Sequence, residues 1–402
     1  MPSNRMQQVM PVPRLGDRTL FSTLRAHAYL NHAAISPASD PVREAVQRAL
    51  DELAEQGSVG FASRLAEREA LRSSLAQLIG ADDDEIALVP STMYGLSALA
   101  SSLVWRAGQR VIAFEGEYPT NVSVWQRACE RFGLALTLLP VADFAAADGP
   151  DFGPLQAELA RGDVQLCAVS AVQFQSGLRM PLQRMAALCH QYGAQLAVDG
   201  VQAVGCVPTD VRVLGVDYLV AGSHKWLMGI DGAGFFYARR EVAARLRPGV
   251  VGAMSHVAAV ALFGSRGELR YDRPLRTDMR VFEGGMLSSL SCAALAAALQ
   301  LLLALGPKAI YGHIDDYLNE LEPALVERGF VSLRAADAER RSGILGVLPP
   351  APSVAAKLVT LMAARGVICS SPDGVLRFAP HFANALDEIP LVLSAVDAAL
   401  RG

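Results

Sequence analysis

Asp199 and Lys225 each follow a short apolar segment of the kind that forms a buried strand. Asp199 closes the run Gln195–Val198, and Lys225 comes shortly after the run Tyr218–Ala221. In an open α/β sheet the side chains beyond the carboxyl ends of the strands converge on one crevice, so both groups can face one ligand. A lysine amine forms a Schiff base with an aldehyde, and a carboxylate keeps a pyridine nitrogen protonated so that the ring withdraws electrons. This pair predicts a site for pyridoxal 5'-phosphate (PLP).

The residues around this pair carry a longer pattern. Ser223 and His224 precede the lysine, Trp226 follows it, and glycines recur downstream, where backbone can approach a ligand. The pattern DGVQ…GSHKW…GxGF resembles the class V aminotransferase family of PLP enzymes, which includes cysteine desulfurases, kynureninases and isopenicillin-N-epimerase-like proteins. The resemblance extends from Tyr29 to about Ile389.

The resemblance implies an α/β protein with the PLP-dependent, aspartate-aminotransferase-like (type I) fold. A mainly parallel central sheet would form a large domain, followed by a smaller α+β C-terminal domain. We expect an N-terminal arm at residues 1–28, the PLP-binding domain at 29–260, and a linker with the small domain at 261–402. Strand and helix patterns alternate along the large domain, which favours parallel strands joined by right-handed crossovers.

The segment PSTMYG turns from a short apolar strand into a helix and is rich in small and hydroxyl residues. Free N–H groups at a helix N-terminus stabilise a phosphate dianion. By resemblance, the side chain of Thr92 and the amide of Met93 bind the PLP phosphate, and a plain helix cap is the alternative. The resemblance adds Ser223 and His224 to the same phosphate.

Two further residues match cofactor contacts of the family. Tyr118, in the segment GEYPTN, takes the place of the aromatic that stacks on the pyridine ring, with a core-filling role as the alternative. Gln202 matches the residue that bonds the phenolic oxygen of PLP. Phe174 stands where desulfurase relatives carry an asparagine near that oxygen, and either Gln173 or Gln175 is expected to substitute for it.

Two segments match the substrate pocket of the family. Asn31 and His32 lie in YLNHAA, similar to the family segment YLNxAA, and ordinary turn hydrogen bonds are the alternative. Arg377 lies in LRFAPHFAN, which looks like the family segment RISPHFYN. Its planar guanidinium suits the α-carboxylate of an amino-acid substrate, with a surface ion pair as the alternative.

The resemblance also implies a homodimer. Family members usually carry a threonine that reaches the phosphate of the neighbouring subunit's cofactor, but Met286 stands there and has no hydroxyl. Either Ser288 or Ser289 supplies the contact, or it is lost.

Composition limits the other partners. The chain has 402 residues and a formal net charge of −4, and its Lys and Arg are scattered, which disfavours nucleic acid and anionic membranes. The six cysteines form no CxxC pair, and the seven histidines show no HxH or HExxH spacing, so we expect reduced thiols and no metal. With no apolar core of a signal peptide at the N-terminus, a cytoplasmic protein is expected.

The reaction is less defined than the cofactor, since one PLP site supports elimination, transamination and racemisation. Our first prediction is a lyase or desulfurase-like enzyme acting on an amino acid, with a sulfur-bearing substrate favoured. An aminotransferase is the closest alternative, followed by an epimerase and a non-catalytic binding protein. The last is disfavoured because Asp199, His224, Lys225 and Arg377 occur together.

A catalytic cysteine is not expected. In desulfurases the nucleophilic cysteine lies on a loop before the substrate arginine, but here only Ser371–Leu376 separate Ser370 from Arg377. Cys369 falls in the apolar run Gly366–Cys369, where a cysteine behaves as a small hydrophobic residue. We therefore predict elimination without an enzyme persulfide.

Overall fold

The computed structural model describes residues 12–146, 149–264, 266–351 and 354–401, so much of the predicted N-terminal arm lies outside the described residues. The strands are β1 (Ala28–Tyr29), β2 (Ile86–Val89), β3 (Arg110–Glu115), β4 (Ala135–Pro140), β5 (Val164–Ser170), β6 (Gln195–Asp199), β7 (Tyr218–Gly222), β8 (Gly234–Ala238), β9 (Val331–Ser332), β10 (Leu345–Leu348), β11 (Val367–Ile368) and β12 (Leu376–Phe378). The α-helices are α1 (Asp40–Gln56), α2 (Phe61–Ile79), α3 (Thr92–Ser102), α4 (Thr120–Phe132), α5 (Gly153–Leu159), α6 (Leu182–Gln191), α7 (Val211–Leu214), α8 (Arg240–Ala243), α9 (Ser289–Leu305), α10 (Pro307–Val326), α11 (Ala355–Ala363) and α12 (Ile389–Arg401).

A seven-stranded sheet in the order β2-β8-β7-β6-β5-β3-β4 forms the centre of the large domain. β8 runs antiparallel to both of its neighbours, β2 and β7, and the pairs among β3 to β7 are parallel. β2 therefore runs in the same direction as β7. The carboxyl ends of β2, β3, β5, β6 and β7 all meet at one edge of the sheet, where open α/β sheets bind ligands.

Apart from the edge strand β4, the strands of this sheet are largely buried on both faces because helices cover each side. Leu99 of α3 and Trp125 of α4 pack on one face, while Met185 of α6 and Leu75 of α2 belong to the core on the other. The central strands accordingly read as continuous apolar runs, as buried parallel strands do. β5, for example, is almost entirely buried from Val164 to Ser170. The predicted mainly parallel sheet is confirmed.

A second, three-stranded antiparallel sheet, β12-β10-β9, forms the C-terminal region together with α10, α11 and α12. β1 pairs in parallel with β11, and Asn31 bridges to Ala379 beyond β12, so the segment after β1 lies against the strand that carries Arg377. The proposed domain boundaries stay a prediction. No single helix of the described chain is long and apolar enough to cross a membrane. α9 and α10 meet that length and composition only when combined across an 80° bend.

Candidate active site

Lys225 and Asp199 lie together at the ligand-binding edge of the large sheet. Asp199 ends β6 and is 3% exposed, and Lys225 follows β7. Burial lowers the pKa of Lys225 to about 8, against the opposing effect of the Asp199 carboxylate. Burial raises the pKa of Asp199 to about 6, with Lys225 acting to lower it. An amine with so low a pKa is in large part unprotonated near pH 8, as a nucleophile or base requires.

His32 is linked to the backbone of this lysine through Ser36. The Ser36 hydroxyl donates to the carbonyl oxygen of Lys225 at 2.6 Å, and Ser36 Oγ in turn accepts from His32 Nδ1 at 2.7 Å. His32 is 3% exposed, and burial lowers its pKa well below the usual value. Nδ1 of His32 is therefore used to hold the lysine backbone through Ser36, and the substrate role of this residue stays a prediction.

His381 supports the same segment from the C-terminal region. Its Nε2 donates to the carbonyl oxygen of Trp226 at 3.0 Å, and the Phe382 amide donates to its Nδ1 at 2.8 Å. Since Nδ1 accepts, the ring is the neutral tautomer with its proton on Nε2. Full burial lowers the pKa of His381 to about 4, consistent with that neutral form. Sequence reasoning gave no role to His381 or Ser36, although His381 lies in the segment LRFAPHFAN and Ser36 lies two residues beyond YLNHAA.

The start of α3 offers free backbone donors. Ser91 caps the helix by accepting the Tyr94 amide at 3.1 Å. The amides of Thr92 and Met93 have no hydrogen-bond partner in the part of the chain described. The Thr92 hydroxyl oxygen accepts from the Gly222 amide at 2.9 Å, which leaves its proton free to donate. The predicted phosphate contacts of Thr92 and Met93 therefore have the donors that they need.

Gly222 closes this corner of the site. A Cβ at Gly222 would lie 3.3 Å from Thr92 Oγ1 and 3.5 Å from His224 Nδ1, so the glycine lets both side chains approach the strand end. His224 is partly buried, and burial together with the charge of Lys225 lowers its pKa.

Ser223 uses its hydroxyl elsewhere. Its buried hydroxyl donates to the carbonyl oxygen of Ile230, so its proton is not available to a phosphate and that predicted contact is unsupported.

Tyr118 presents its ring at the front of the lysine. Its ring centroid lies 5.6 Å from Lys225 Nζ, and half of the residue is exposed. The ring of Phe174 contacts it edge-on, at 5.5 Å between centroids and 83° between planes.

Gln202 is buried, and its side-chain amide has two partners. Its Nε2 donates to Ala33 O at 2.9 Å, and its Oε1 accepts from Trp226 Nε1 at 2.8 Å. One N–H of Gln202 is left for the predicted cofactor contact.

The two glutamines beside Phe174 point in different directions. Gln173 is buried and donates to Glu117 Oε1 at 3.1 Å. Gln175 turns outward and donates to Asp373 Oδ2 at 3.3 Å. Phe174 packs its own ring on Tyr118, and both glutamine amides donate to carboxylates of the protein, so the substitution of either for the family asparagine stays a prediction.

Arg377 is a buried cation without an acidic partner. It is 4% exposed, and burial lowers its pKa to about 10. Its Nε donates to Ser370 Oγ at 3.2 Å and its Nη1 to Phe174 O at 2.6 Å, whereas no carboxylate of the described chain forms an ion pair with it. Asn31, on the adjacent segment, has a buried Oδ1 with no partner. A buried unpaired guanidinium is costly, so this arrangement fits an anionic ligand such as a carboxylate.

These features together fit PLP. The free amides of Thr92 and Met93 suit its phosphate, the carboxylate of Asp199 suits its ring nitrogen, and Lys225 suits its aldehyde. Comparison with known proteins gives the same result, since residues 28–375 match the family Aminotransferase class-V. The chain belongs to the class-V aminotransferase family.

Individual relatives agree with this assignment. The chain is 30% identical over 376 residues to the uncharacterized aminotransferase YcbU of Bacillus subtilis, covering 92% of this chain and 94% of that protein. It is 33% identical over 284 residues to a cysteine desulfurase of Klebsiella pneumoniae, covering 68% of this chain and 63% of the desulfurase.

Solved structures show the same fold. C-DES, in a mutant with glycine covalently linked to its PLP cofactor, has a TM-score of 0.85 at 23% identity, covering 94% of this chain and 98% of that chain. The cysteine desulfurase CsdA of Escherichia coli has a TM-score of 0.80 at 24% identity, covering 93% and 94%. The predicted fold, PLP cofactor and enzyme class are confirmed, while the roles of individual site residues stay predictions.

Proposed function

We propose that this class-V family member is a PLP-dependent carbon–sulfur lyase that acts on a sulfur-bearing amino acid and uses no enzyme cysteine. The observation that carries the proposal is the state of the segment before Arg377. Cys369 is 5% exposed, and burial raises its pKa to about 12, so almost none of it is thiolate. The turn Pro372–Gly374, which connects Ser370 to β12, contains no cysteine.

The side chains of the site can divide the work of an elimination. When bound, PLP supplies an electron sink for the pair released at the substrate Cα. Arg377 binds the α-carboxylate, with Nη2 as the unoccupied donor. The amine of Lys225, with its pKa of about 8, takes the proton from Cα. The Cβ–S bond then breaks, the sulfur leaves with the bonding pair, and the remaining enamine hydrolyses in water to pyruvate and ammonia.

The fold neighbours favour a disulfide amino acid as substrate. C-DES is described as a cystine C-S lyase in complex with its reaction product cysteine persulfide, at a TM-score of 0.82 and 23% identity. If this chain acts likewise, cystine and one water give cysteine persulfide, pyruvate and ammonia. The sulfur then leaves in a small molecule, and no enzyme thiol has to receive it.

An aminotransferase is the second candidate. It is favoured by the relative YcbU, whose alignment covers more of both chains than that of the desulfurase. In that reaction the α-amino group is transferred overall from the amino acid to a keto-acid acceptor, so the keto product forms without free ammonia.

A product balance separates the candidates. Purified protein with PLP is incubated with L-cystine, L-cysteine and a panel of other amino acids, with and without a keto-acid acceptor. The lyase predicts pyruvate and ammonia in equal amounts, together with a soluble persulfide and no dependence on the acceptor. Keto acid without ammonia would favour transamination, and a changed D to L ratio alone would favour an epimerase.

We also infer a homodimer, as the family resemblance implied. Four large apolar side chains between residues 263 and 286 are more than half exposed: Phe263 is 72% exposed, Leu269 65%, Tyr271 91% and Met286 65%. So many exposed apolar side chains on one stretch of chain favour a protein interface. Sedimentation should give a dimer that Phe263→Asp weakens, with Val213→Asp, at an exposed site elsewhere, as the control. A monomer that binds PLP and turns over would contradict it.

A further inference from the structure

Glu117, which directly precedes Tyr118, is a buried carboxylate for which the reaction above has no use. It is 7% exposed, and no lysine, arginine or histidine of the described chain forms an ion pair with it. Its Oε1 accepts from the Ser170 amide at 2.7 Å and from Gln173 Nε2 at 3.1 Å, and its Oε2 accepts from the Ser170 hydroxyl. The protein therefore surrounds this acid with donors alone.

The direction of these hydrogen bonds is fixed by Trp125. An indole N–H can only donate, so Asn121 Oδ1 must accept from Trp125 Nε1, at 3.3 Å. Asn121 Nδ2 then faces Ser170 Oγ at 3.4 Å and donates to it. The Ser170 proton is left for Glu117. The whole chain of donors thus ends on Glu117, where it favours the anionic form against the effect of burial, which raises the pKa of this carboxyl group.

Strand order places this anion beside Asp199. Ser170 and Asp199 are register partners at the ends of the neighbouring strands β5 and β6. Glu117 lies just past the end of β3, on the other side of β5, and binds Ser170 from there. The charge of Glu117 accordingly acts to raise the pKa of Asp199, after the larger effect of burial.

We propose that Glu117 is a positioning residue for the cofactor ring: a fixed anion behind Asp199 that keeps a proton on the ring nitrogen that Asp199 faces. Two negative charges on one side of that nitrogen stabilise its protonated, electron-withdrawing form more than Asp199 alone would. The inference needs PLP, which the family uses, and holds whether the enzyme eliminates or transaminates.

The titratable groups around Glu117 are few. Its charge acts on Asp199 of β6 and on the buried thiol of Cys167 of β5, and burial raises its own pKa. Lys225 acts on the pKa of Asp199 in the opposite direction to Glu117, and Arg377 acts on the pKa of Lys225. A change at Glu117 is therefore expected to appear first at Asp199 and the nitrogen that it faces.

The test compares PLP with a cofactor analogue in which carbon replaces the ring nitrogen, so that no proton can bind there. Dissociation constants of both are measured for the cofactor-free wild type, Glu117→Gln and Glu117→Asp at pH 8. We expect Glu117→Gln to weaken PLP about tenfold, the effect of a pKa change of about one unit, and to alter the analogue less than about twofold. Glu117→Asp keeps the charge and should restore most of the preference for PLP.

The controls separate charge from packing. Glu115→Gln removes an exposed carboxylate at the end of β3, two residues before Glu117, and should change neither constant. Equal loss for PLP and the analogue, or equal effects of the Gln and Asp variants, would show a purely structural role and overturn the proposal. If Glu117→Gln does not fold, Ser170→Ala offers a second test because it removes one donor to the Glu117 carboxylate. Glu117 should then take up a proton at a higher pH, so the pH below which the preference for PLP is lost should rise. An unchanged pH would equally overturn it.

Discussion

The cofactor side and the substrate side of the site differ in how far the protein satisfies its own buried charges. On the cofactor side, both oxygens of Glu117 accept hydrogen bonds, and Asp199 accepts the Val201 amide and faces Lys225. On the substrate side, Arg377 makes two hydrogen bonds and meets no carboxylate of the described chain, and Asn31 Oδ1 has no partner.

This difference corresponds to how long each ligand stays. A resident cofactor can rely on a fixed arrangement of dipoles and charges, which costs no reorganisation during the reaction. A substrate must bind and leave at each turnover. An unpaired buried guanidinium lowers the stability of the free enzyme, and the carboxylate of a bound substrate offsets that loss. The following predictions test this division, beginning with the largest effect.

Lys225→Ala should reduce turnover by about 10³-fold or more, because it removes both the covalent attachment and the base. Borohydride reduction followed by peptide mapping should find the cofactor on Lys225 in the wild type and on no lysine in the variant. Lys308→Ala, at an exposed lysine of α10, serves as the control and should behave like the wild type. A label on Lys308 would disprove the assignment of Lys225 as the lysine that binds PLP covalently.

Arg377→Ala should raise KM for any α-amino acid by about 30-fold to 100-fold, since a charge-assisted carboxylate contact is lost, worth roughly 2–3 kcal/mol. Its effect on the free energy of unfolding should be small or favourable, because an unpaired buried charge disappears. The control is Arg340→Ala. Arg340 is 5% exposed and donates to the carbonyl oxygens of Phe144 and Ala146, so it should lower stability and leave KM unchanged.

The two sides should also shift the pKa of Lys225 in opposite directions. In the cofactor-free protein, the rate at which Lys225 captures PLP should rise with pH and reach half its maximum near pH 8. Asp199→Asn removes the charge that raises this pKa and should move the midpoint down. Arg377→Ala removes a charge that lowers it and should move the midpoint up. Shifts of the midpoint in the same direction would contradict the opposite effects of Asp199 and Arg377 on the pKa of Lys225.

Residues at strand ends could be predicted because strand order and direction alone bring them together. Asp199 and Lys225 required only that two apolar runs be neighbouring parallel strands, and their patterns indicated this. Thr92 and Met93 followed from a turn into a helix, which is also a local feature. The class-V motifs extended these predictions to Tyr118.

Side-chain directions could not be predicted, because they depend on distant contacts. The direction of the His32 ring depends on Ser36, which contacts its Nδ1, and on His381, far along the chain, which packs against the ring at 5.2 Å. The proton of Ser223 is taken by Ile230 O, across a turn whose shape the sequence did not show. Glu117 escaped notice because its partner Ser170 becomes a neighbour only once β5 lies between β3 and β6.

The smallest expected effect concerns Cys369, which lies on the substrate side directly before Ser370. Cys369→Ala should leave kcat and KM within about twofold of the wild type, because a thiol with a pKa of about 12 has on the order of one thiolate in 10⁴ molecules at pH 8. Cys129→Ala is a suitable control. It is another largely buried cysteine, 8% exposed, on α4.

The same variant decides where the sulfur goes. If Arg377 holds the carboxylate and the sulfur leaves directly from the substrate, a thiol-trapping reagent should recover sulfane sulfur from the solution and none from the protein. A Cys369 persulfide in the wild type, together with lost turnover in Cys369→Ala but not in Cys129→Ala, would mean that the segment moves to expose its thiol. That result would replace the lyase by a desulfurase, and it would show that the substrate side moves during turnover while the cofactor side stays fixed.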